Sequence, residues 1–249
     1  MLEYEGQIAE GMRYAGDKGD LVDAYYARPL GEGPFPGVVV IHHNPGWDEA
    51  TKEITRKFAH HGSAAIAPHL FTREGRGTTN PEDASAAARA AGGVPDAQVL
   101  GDIDAAVALL RAQPYCNGLV GAIGYCSGGR QSYLVACKLA VDAVVDCYGG
   151  SVVAIGDVNP ARPPVIDETS GISCPLLLLF GEEDRNPSPE HRELTEAALK
   201  AAGKDYTAHS YPDAGHGFFS VDVPGYRVAA ATDGWERIFT FFGQHLGRS

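Results

Sequence analysis

The chain has 249 residues, of which 44% are hydrophobic and 21% charged. These values are typical of a globular protein that is long enough to bury a core without disulfide or metal support. Asp and Glu number 32 against 20 Lys and Arg, which gives a formal net charge of −12. This acidity argues against a nucleic-acid partner and against binding to anionic membranes.

The sequence as given predicts neither a membrane span nor a secretory signal peptide. It contains no apolar run of 18 residues, and its first 20 residues lack the apolar segment of a signal peptide. The five cysteines are odd in number and form no C-x-x-C pair. Because such a set favours reduced thiols over a disulfide framework, we expect a cytoplasmic protein.

Short apolar runs alternate with longer amphipathic stretches along the chain. The first 30 residues predict an antiparallel edge hairpin that turns at residues 17–20. The segment of residues 71–95 is too long for a simple connection between two elements, and we interpret it as a mobile cover over a site. The other predicted strands are 37–41, 64–67, 119–125, 141–148, 176–180 and 206–211. The predicted helices are 48–61, 96–113, 132–139, 188–203 and a C-terminal helix marked by apolar residues from 235 to 246.

This alternation of strands and helices defines the fold class. It is typical of α/β proteins, in which a mostly parallel sheet carries helices on both faces. No linker interrupts the pattern, so we predict a single domain over residues 1–249.

The segment Gly124-Tyr-Cys-Ser-Gly-Gly129 follows a predicted strand and precedes a predicted helix. It has the spacing of a nucleophile elbow, G-x-nucleophile-x-G, with Cys126 as the nucleophile. Such a turn is sharp and strained, so the positions two residues away, Gly124 and Gly128, must lack side chains. The turn also directs the N–H of Ser127 towards the oxygen of an attacked carbonyl. The helix N-terminus favours the thiolate.

A phosphate-binding glycine loop and an inert buried cysteine are the alternatives for this segment. Neither G-x-G-x-x-G nor G-x-x-x-x-G-K-[ST] can be spelled here, which argues against the loop. The other four cysteines lack flanking glycines. We therefore predict that Cys126 is the nucleophile.

A thiolate that attacks carbonyls needs a base and an orienting acid, which follow the nucleophile in this type of site. Asp184 lies just past the predicted strand 176–180, where the carboxyl ends of parallel strands meet. Glu182 and Glu183 are alternatives that spacing alone does not exclude. His216 lies between two glycines in a loop after the last strand, and it completes the order Cys126, Asp184, His216.

No metal or cofactor site is predicted. His42 and His43 are adjacent at a strand end and point to opposite faces, so they cannot bind one metal together. No spacing of His, Cys, Asp and Glu resembles a zinc or di-iron site.

Taken together, these motifs resemble the dienelactone hydrolase family of α/β-hydrolases. The resemblance covers nearly the whole chain, and it implies the α/β-hydrolase fold with Cys126 as nucleophile, His216 as base and Asp184 as its partner. It also implies that the N–H groups of Asn44 and Ser127 form the oxyanion hole. The matching segments are 113–118, 124–129, 148–149, 181–184, 214–218 and 225–226.

Two positions depart from the family pattern. His43 stands where known members carry a Glu that contacts the thiol, and it can either accept the thiol proton or act as a neutral spacer. Ser220 stands where they carry an Arg for the substrate's carboxylate. Five arginines are candidates to replace it: Arg73, Arg76, Arg89, Arg130 and Arg227.

We therefore expect a hydrolase that cleaves a small carboxylic ester or enol lactone through a thioester on Cys126. Trp47, Tyr148, Phe218 and Phe219 either line its pocket or pack in the core. The alternatives are a thiol-redox protein and a binding protein without catalysis. We expect a monomer or a small homo-oligomer.

Overall fold

A computed structural model describes residues 6–78, 80–153 and 163–247. The chain divides into two compact units, one of residues 1–121 with 246–249 and one of residues 122–245. The single domain over residues 1–249 stays a prediction.

Eight strands form one sheet. The combination of this mostly parallel sheet with α-helices confirms the predicted α/β class. The strands are β1 (Gln7–Ala15), β2 (Leu21–Pro29), β3 (Phe35–Ile41), β4 (Ala64–Pro68), β5 (Cys116–Tyr125), β6 (Ala143–Cys147), β7 (Leu176–Gly181) and β8 (Tyr206–Tyr211). Their order is β1-β2-β4-β3-β5-β6-β7-β8. The pairs β3–β4, β6–β7 and β7–β8 are parallel, whereas β1–β2 and β2–β4 are antiparallel. The predicted edge hairpin is thus β1 and β2.

Six α-helices occur in the described part of the chain. They are α1 (Glu49–His60), α2 (Pro81–Ala90), α3 (Asp96–Arg111), α4 (Ser127–Lys138), α5 (Pro189–Ala201) and α6 (Val228–Leu246). None of the described helices is long and apolar enough to cross a membrane.

The sequence prediction missed α2, which lies within the interpreted cover of residues 71–95. Asn80 caps this helix by accepting the N–H of Glu82, and Pro81 occupies its first turn. Alanine fills much of the helix, so its apolar periodicity is too weak to be recognised. The preceding turn is anchored, since the Arg73 guanidinium donates two hydrogen bonds to the buried Asp102 carboxylate at 2.8 and 3.0 Å.

In the second unit, α4 begins five residues earlier than predicted, directly after the elbow. The apolar run that begins at Tyr133 marks only its later turns, because the helix begins with a serine and two glycines. The predicted start of α5 is confirmed: Ser188 accepts the N–H of His191, and Pro189 follows it. The strands β6 and β7 are buried along their whole length, as expected for strands of a parallel sheet.

Candidate active site

Cys126 occupies the sharp turn between β5 and α4, in a backbone conformation that L-residues rarely adopt. Its φ is 57° and its ψ is −119°, and holding such a conformation costs about 1–3 kcal/mol. A Cβ on Gly124 would overlap the backbone carbonyl of Gly128. The sequence requirement for glycine at position 124 therefore has a direct steric cause.

The backbone around Cys126 is fixed on both sides. Its N–H donates to the carbonyl of Cys147 at the end of β6, at 3.0 Å. Ser127 is the first residue of α4, so its N–H has no acceptor within the helix. The same helix end carries a positive partial charge, which stabilises an anion at the Cys126 sulfur.

His216 and Asp184 are hydrogen-bonded, with 2.8 Å between Nδ1 and Oδ2. The Asp184 carboxylate is buried, and its other oxygen accepts the N–H of Asn186 at 2.8 Å. Because a carboxylate oxygen accepts, Nδ1 of His216 carries the proton and donates it. Glu182 and Glu183 are exposed, so the geometry selects Asp184 among the three predicted acids.

The His216 side chain also forms a hydrogen bond with Cys126. Burial lowers the pKa of His216, but the hydrogen bonds to Asp184 and Cys126 and the charges of both groups outweigh this effect and raise it to about 10. Cys126, His216 and Asp184 are thus brought together, in the order that the sequence predicts.

Tyr148 packs against this group from the turn after β6. It is buried, its φ is 44°, and its ring centroid lies 5.1 Å from that of His216, edge to face. Its hydroxyl is hydrogen-bonded by the Ser220 side chain and by the backbone of Phe219. Ser220, which stands where known family members carry an Arg, therefore has a hydrogen-bond partner within the protein.

The two phenylalanines of the predicted pocket lie in an aromatic cluster. Phe218 and Phe219 are buried, and the Phe219 ring contacts Tyr125 and Trp235 at centroid distances of 5.7 and 5.4 Å. This arrangement favours the core-packing alternative for both.

In the first unit, His43 forms a second pair with a carboxylate, since its Nε2 lies 2.6 Å from Oδ2 of Asp48. Asp48 also caps α1 by accepting the N–H of Thr51. The neighbouring His42 is buried and accepts the N–H of Leu70 at Nε2, so its Nδ1–H donates to the His43 carbonyl. Burial lowers the pKa of His42 to about 3, despite its hydrogen bond to the His43 carbonyl.

The remaining predicted residues of the first unit are held by α2 and β4. The carbonyl of Asn44 accepts the Ser85 hydroxyl, which accepts from Arg89 in turn. Trp47 donates its indole N–H to the Ala67 carbonyl at 3.0 Å. The pairing of Asn44 with Ser127 in an oxyanion hole and the pocket role of Trp47 stay predictions.

Most of the arginines considered for a substrate carboxylate have internal partners. Arg73 is bound to Asp102, and Arg89 donates to Ser85. Three carbonyls, those of Asp213, Pro224 and Tyr226, accept from Arg227. Arg130 is buried and donates to Gln131 and to the Pro163 carbonyl. Arg76 is exposed.

Within the described ranges, no three His, Cys, Asp or Glu side chains are grouped so that they could hold a metal ion.

Two residues near this site were missed by the sequence analysis. Asn186 fixes the Asp184 carboxylate through its backbone N–H, and no sequence signal marks such a contact. Asp146 is a fully buried carboxyl within β6. An acid inside an apolar strand is a signal that the sequence itself shows.

The sheet, the elbow and the acid–histidine pair define the chain as an α/β-hydrolase. A model of the dienelactone hydrolase family matches residues 22–246, and the chain belongs to this family of hydrolases.

Relatives of known name or structure agree with this assignment. The chain is 33% identical over 245 residues to a "Putative carboxymethylenebutenolidase" of Salmonella typhimurium, which covers 98% of this chain and 90% of the relative. It is 29% identical over 246 residues to the "Carboxymethylenebutenolidase" of Pseudomonas putida, covering 94% and 96%. A "Putative Dienelactone Hydrolase" structure from Klebsiella pneumoniae superposes with a TM-score of 0.86 at 30% identity, covering 96% and 99%.

Proposed function

We propose that this enzyme hydrolyses small carboxylic esters or enol lactones through a thioester on Cys126. The observation that carries the proposal is the hydrogen-bonded series Cys126, His216, Asp184 at a strained turn. The names of the relatives support a lactone or ester as the substrate class. We further propose a cytoplasmic location for the enzyme.

In the first half of the reaction, the Cys126 thiolate attacks the substrate carbonyl. The N–H of Ser127, at the start of α4, stabilises the oxyanion. One such donor typically contributes about 10²–10³ in rate. The imidazolium of His216 then gives its proton to the leaving oxygen as the C–O bond breaks, which leaves the acyl group on sulfur.

In the second half, His216 acts as a general base. Part of the rise in its pKa comes from its hydrogen bond and charge interaction with Cys126. Once the sulfur is acylated, that part is lost and burial lowers the pKa of the ring. The neutral imidazole can then remove a proton from water, whose oxygen attacks the thioester and releases the acid and the free thiolate.

The contacts of the site favour substrates without a carboxylate. Ser220 is hydrogen-bonded to Tyr148, and Arg130 and Arg227 of the same unit donate to protein oxygens. A thiolate also favours activated esters and enol lactones, whose leaving oxygen needs little protonation. We therefore expect neutral lactones to be hydrolysed at least as fast as their carboxylate-bearing analogues.

The test is hydrolysis of p-nitrophenyl acetate by the wild type and by Cys126→Ala. Loss of the nucleophile should reduce the rate by about 10⁴-fold or more. Mass spectrometry of the wild type, quenched during turnover, should find an acetyl group on the peptide that contains Cys126.

The control is Cys116→Ala, which removes a partly exposed thiol at the start of β5. This variant should keep wild-type activity. Full activity in Cys126→Ala would exclude the thioester mechanism. Oxidation of Cys126 by peroxide in a protein without esterase turnover would favour the thiol-redox alternative.

A further inference from the structure

Asp146 is the one charged side chain of β6, whose other residues are Ala143, Val144, Val145 and Cys147. It is completely buried. A carboxylate buried without a cation is strongly unfavourable, so such a group either finds a partner or keeps its proton.

The carboxyl of Asp146 has one hydrogen-bond partner among the described residues. Its Oδ1 accepts the N–H of Gly149 at 2.8 Å, and its Oδ2 has no partner there. It also borders a narrow crevice, lined by His191 and Thr195 as well, that has no room for a water molecule. Water therefore cannot hydrate an ionised Asp146 in this packing.

Two glycines make room for this carboxyl. A Cβ on Gly129 would overlap Oδ1 of Asp146, and a Cβ on Gly149 would lie 2.5 Å from the same oxygen. Gly129 belongs to the first turn of α4, which begins directly after Cys126. Gly149 follows Tyr148, whose ring contacts His216. The carboxyl thus lies between the helix of the nucleophile and the turn that supports the base.

Burial favours the neutral form of the Asp146 carboxyl. It raises the pKa of Asp146 to about 7, and the hydrogen bond from Gly149 only partly opposes this. The titratable and charged groups near it are Tyr133 and Arg130 of α4, Cys147 and Tyr148 of its own segment, and His191 of α5. None of these forms an ion pair with Asp146 in the described ranges, and the Arg130 guanidinium donates to Gln131 and Pro163.

We propose that Asp146 is a positioning residue for the Cys126–His216 pair. As a neutral acid it holds the turn at residues 148–149 against the first turn of α4, and this turn holds the Tyr148 ring beside His216. Ionisation of Asp146 places an unpaired charge beside a crevice too narrow for a water molecule, so the turn must open to hydrate it. The inference rests on the proposed function, since it concerns the same pair.

The test compares the pH profiles of kcat for wild type and Asp146→Asn with p-nitrophenyl acetate. The amide of Asn keeps an oxygen that accepts the Gly149 N–H, but it cannot ionise. In the wild type, kcat should fall about three- to tenfold as the pH rises through about 7. The Asp146→Asn variant should show no fall in that range, and it should equal the wild type at acid pH.

A second measurement, thermal unfolding, reports the same ionisation without turnover. The native protein holds a proton on Asp146 that the unfolded chain loses between pH 3.8 and about 7. Stability of the wild type therefore falls as the pH rises through this window. The melting temperature of Asp146→Asn should rise relative to that of the wild type as the pH rises from about 4 to about 7, and the difference should stay constant above this window. Asp167→Asn, at an exposed carboxylate, is the matched control and should follow the wild type.

Asp146→Ala separates the two roles of the carboxyl, because it removes both the charge and the acceptor for Gly149. It should have a reduced kcat at every pH and no fall near neutral pH. Identical pH profiles of kcat in wild type and Asp146→Asn would overturn the positioning role alone. Absence of turnover in the wild type at every pH would overturn the proposed function and this inference together.

Discussion

The two units of the chain each contain a histidine paired with a carboxylate just beyond the end of a parallel strand. In the second unit, Nδ1 of His216 lies 2.8 Å from Asp184, and in the first unit, Nε2 of His43 lies 2.6 Å from Asp48. The distances are similar, so distance does not tell which pair takes part in a reaction.

The other partners of each carboxylate do distinguish the pairs. Asp48 caps α1, because it accepts both the N–H and the hydroxyl of Thr51, and 23% of its side chain is exposed. Asp184 is 2% exposed and accepts from the Asn186 backbone and from His216. The first carboxylate serves a helix end, whereas the second is buried and serves mainly to orient an imidazole.

The two histidines also differ in their other partners. His216 has a second partner, the Cys126 thiol, on the side away from its carboxylate. The ring thus connects a carboxylate to a thiol, which is the arrangement required by the catalytic triad that we propose. A His–Asp pair in a hydrolase therefore indicates a base only when the second ring nitrogen also has a reactive partner.

Exchange of each histidine for glutamine tests this distinction most strongly. His216→Gln should reduce kcat/KM for p-nitrophenyl acetate by about 10⁴-fold, because glutamine cannot transfer a proton. His43→Gln should reduce it by less than about tenfold, since Asp48 holds His43 at a helix cap. An equal loss in the two variants would show that both pairs act in the reaction.

Exchange of each carboxylate for its amide has the next largest expected effect. In Asp184→Asn, the amide can donate to Nδ1 of His216 and so stabilise the wrong tautomer, and kcat should fall by about 10³-fold. Asp48→Asn keeps a good cap for α1, so kcat should change by less than about threefold. Circular dichroism should show both variants folded, and a similar loss of kcat in both would remove the distinction between the pairs.

Much of the candidate site in the second unit could be predicted from the sequence. The elbow at Cys126, the acid after β7 and the histidine between two glycines are each marked by local pattern. Strands such as β7 are marked by uninterrupted apolar runs, and Ser188-Pro189 marks the start of α5. These features depend on neighbours in sequence, which is why a single chain reveals them.

Features that depend on tertiary contacts could not be predicted. The choice of Asp184 over Glu182 and Glu183 depends on which carboxylate the folded loops bury. The partner of Ser220 is Tyr148, which is 72 residues away in the sequence. Helix α2 lacks a strong apolar period because its buried face is made of alanine and serine.

Acid stability is the smallest expected effect, and it tests whether Asp48 is mainly structural. Burial raises the pKa of Asp48, but the hydrogen bonds from His43 and Thr51 outweigh this and lower it to about 2. The unfolded chain therefore binds a proton at this carboxyl at higher pH than the native protein does. Its contribution to the free energy of unfolding, about 2 kcal/mol, is present above pH 4 and lost as the pH falls towards 2.

Urea unfolding at about pH 6 and about pH 3 measures this contribution in wild type and Asp48→Asn. The wild type should be more stable by about 2 kcal/mol at the higher pH, and about half of that advantage should be lost at the lower pH. A constant difference at both pH values would mean that the contacts of Asp48 with His43 and Thr51 do not stabilise its ionised form in the native protein. The part-buried hydrogen bond between His43 and Asp48 would then need a role other than stabilising the fold.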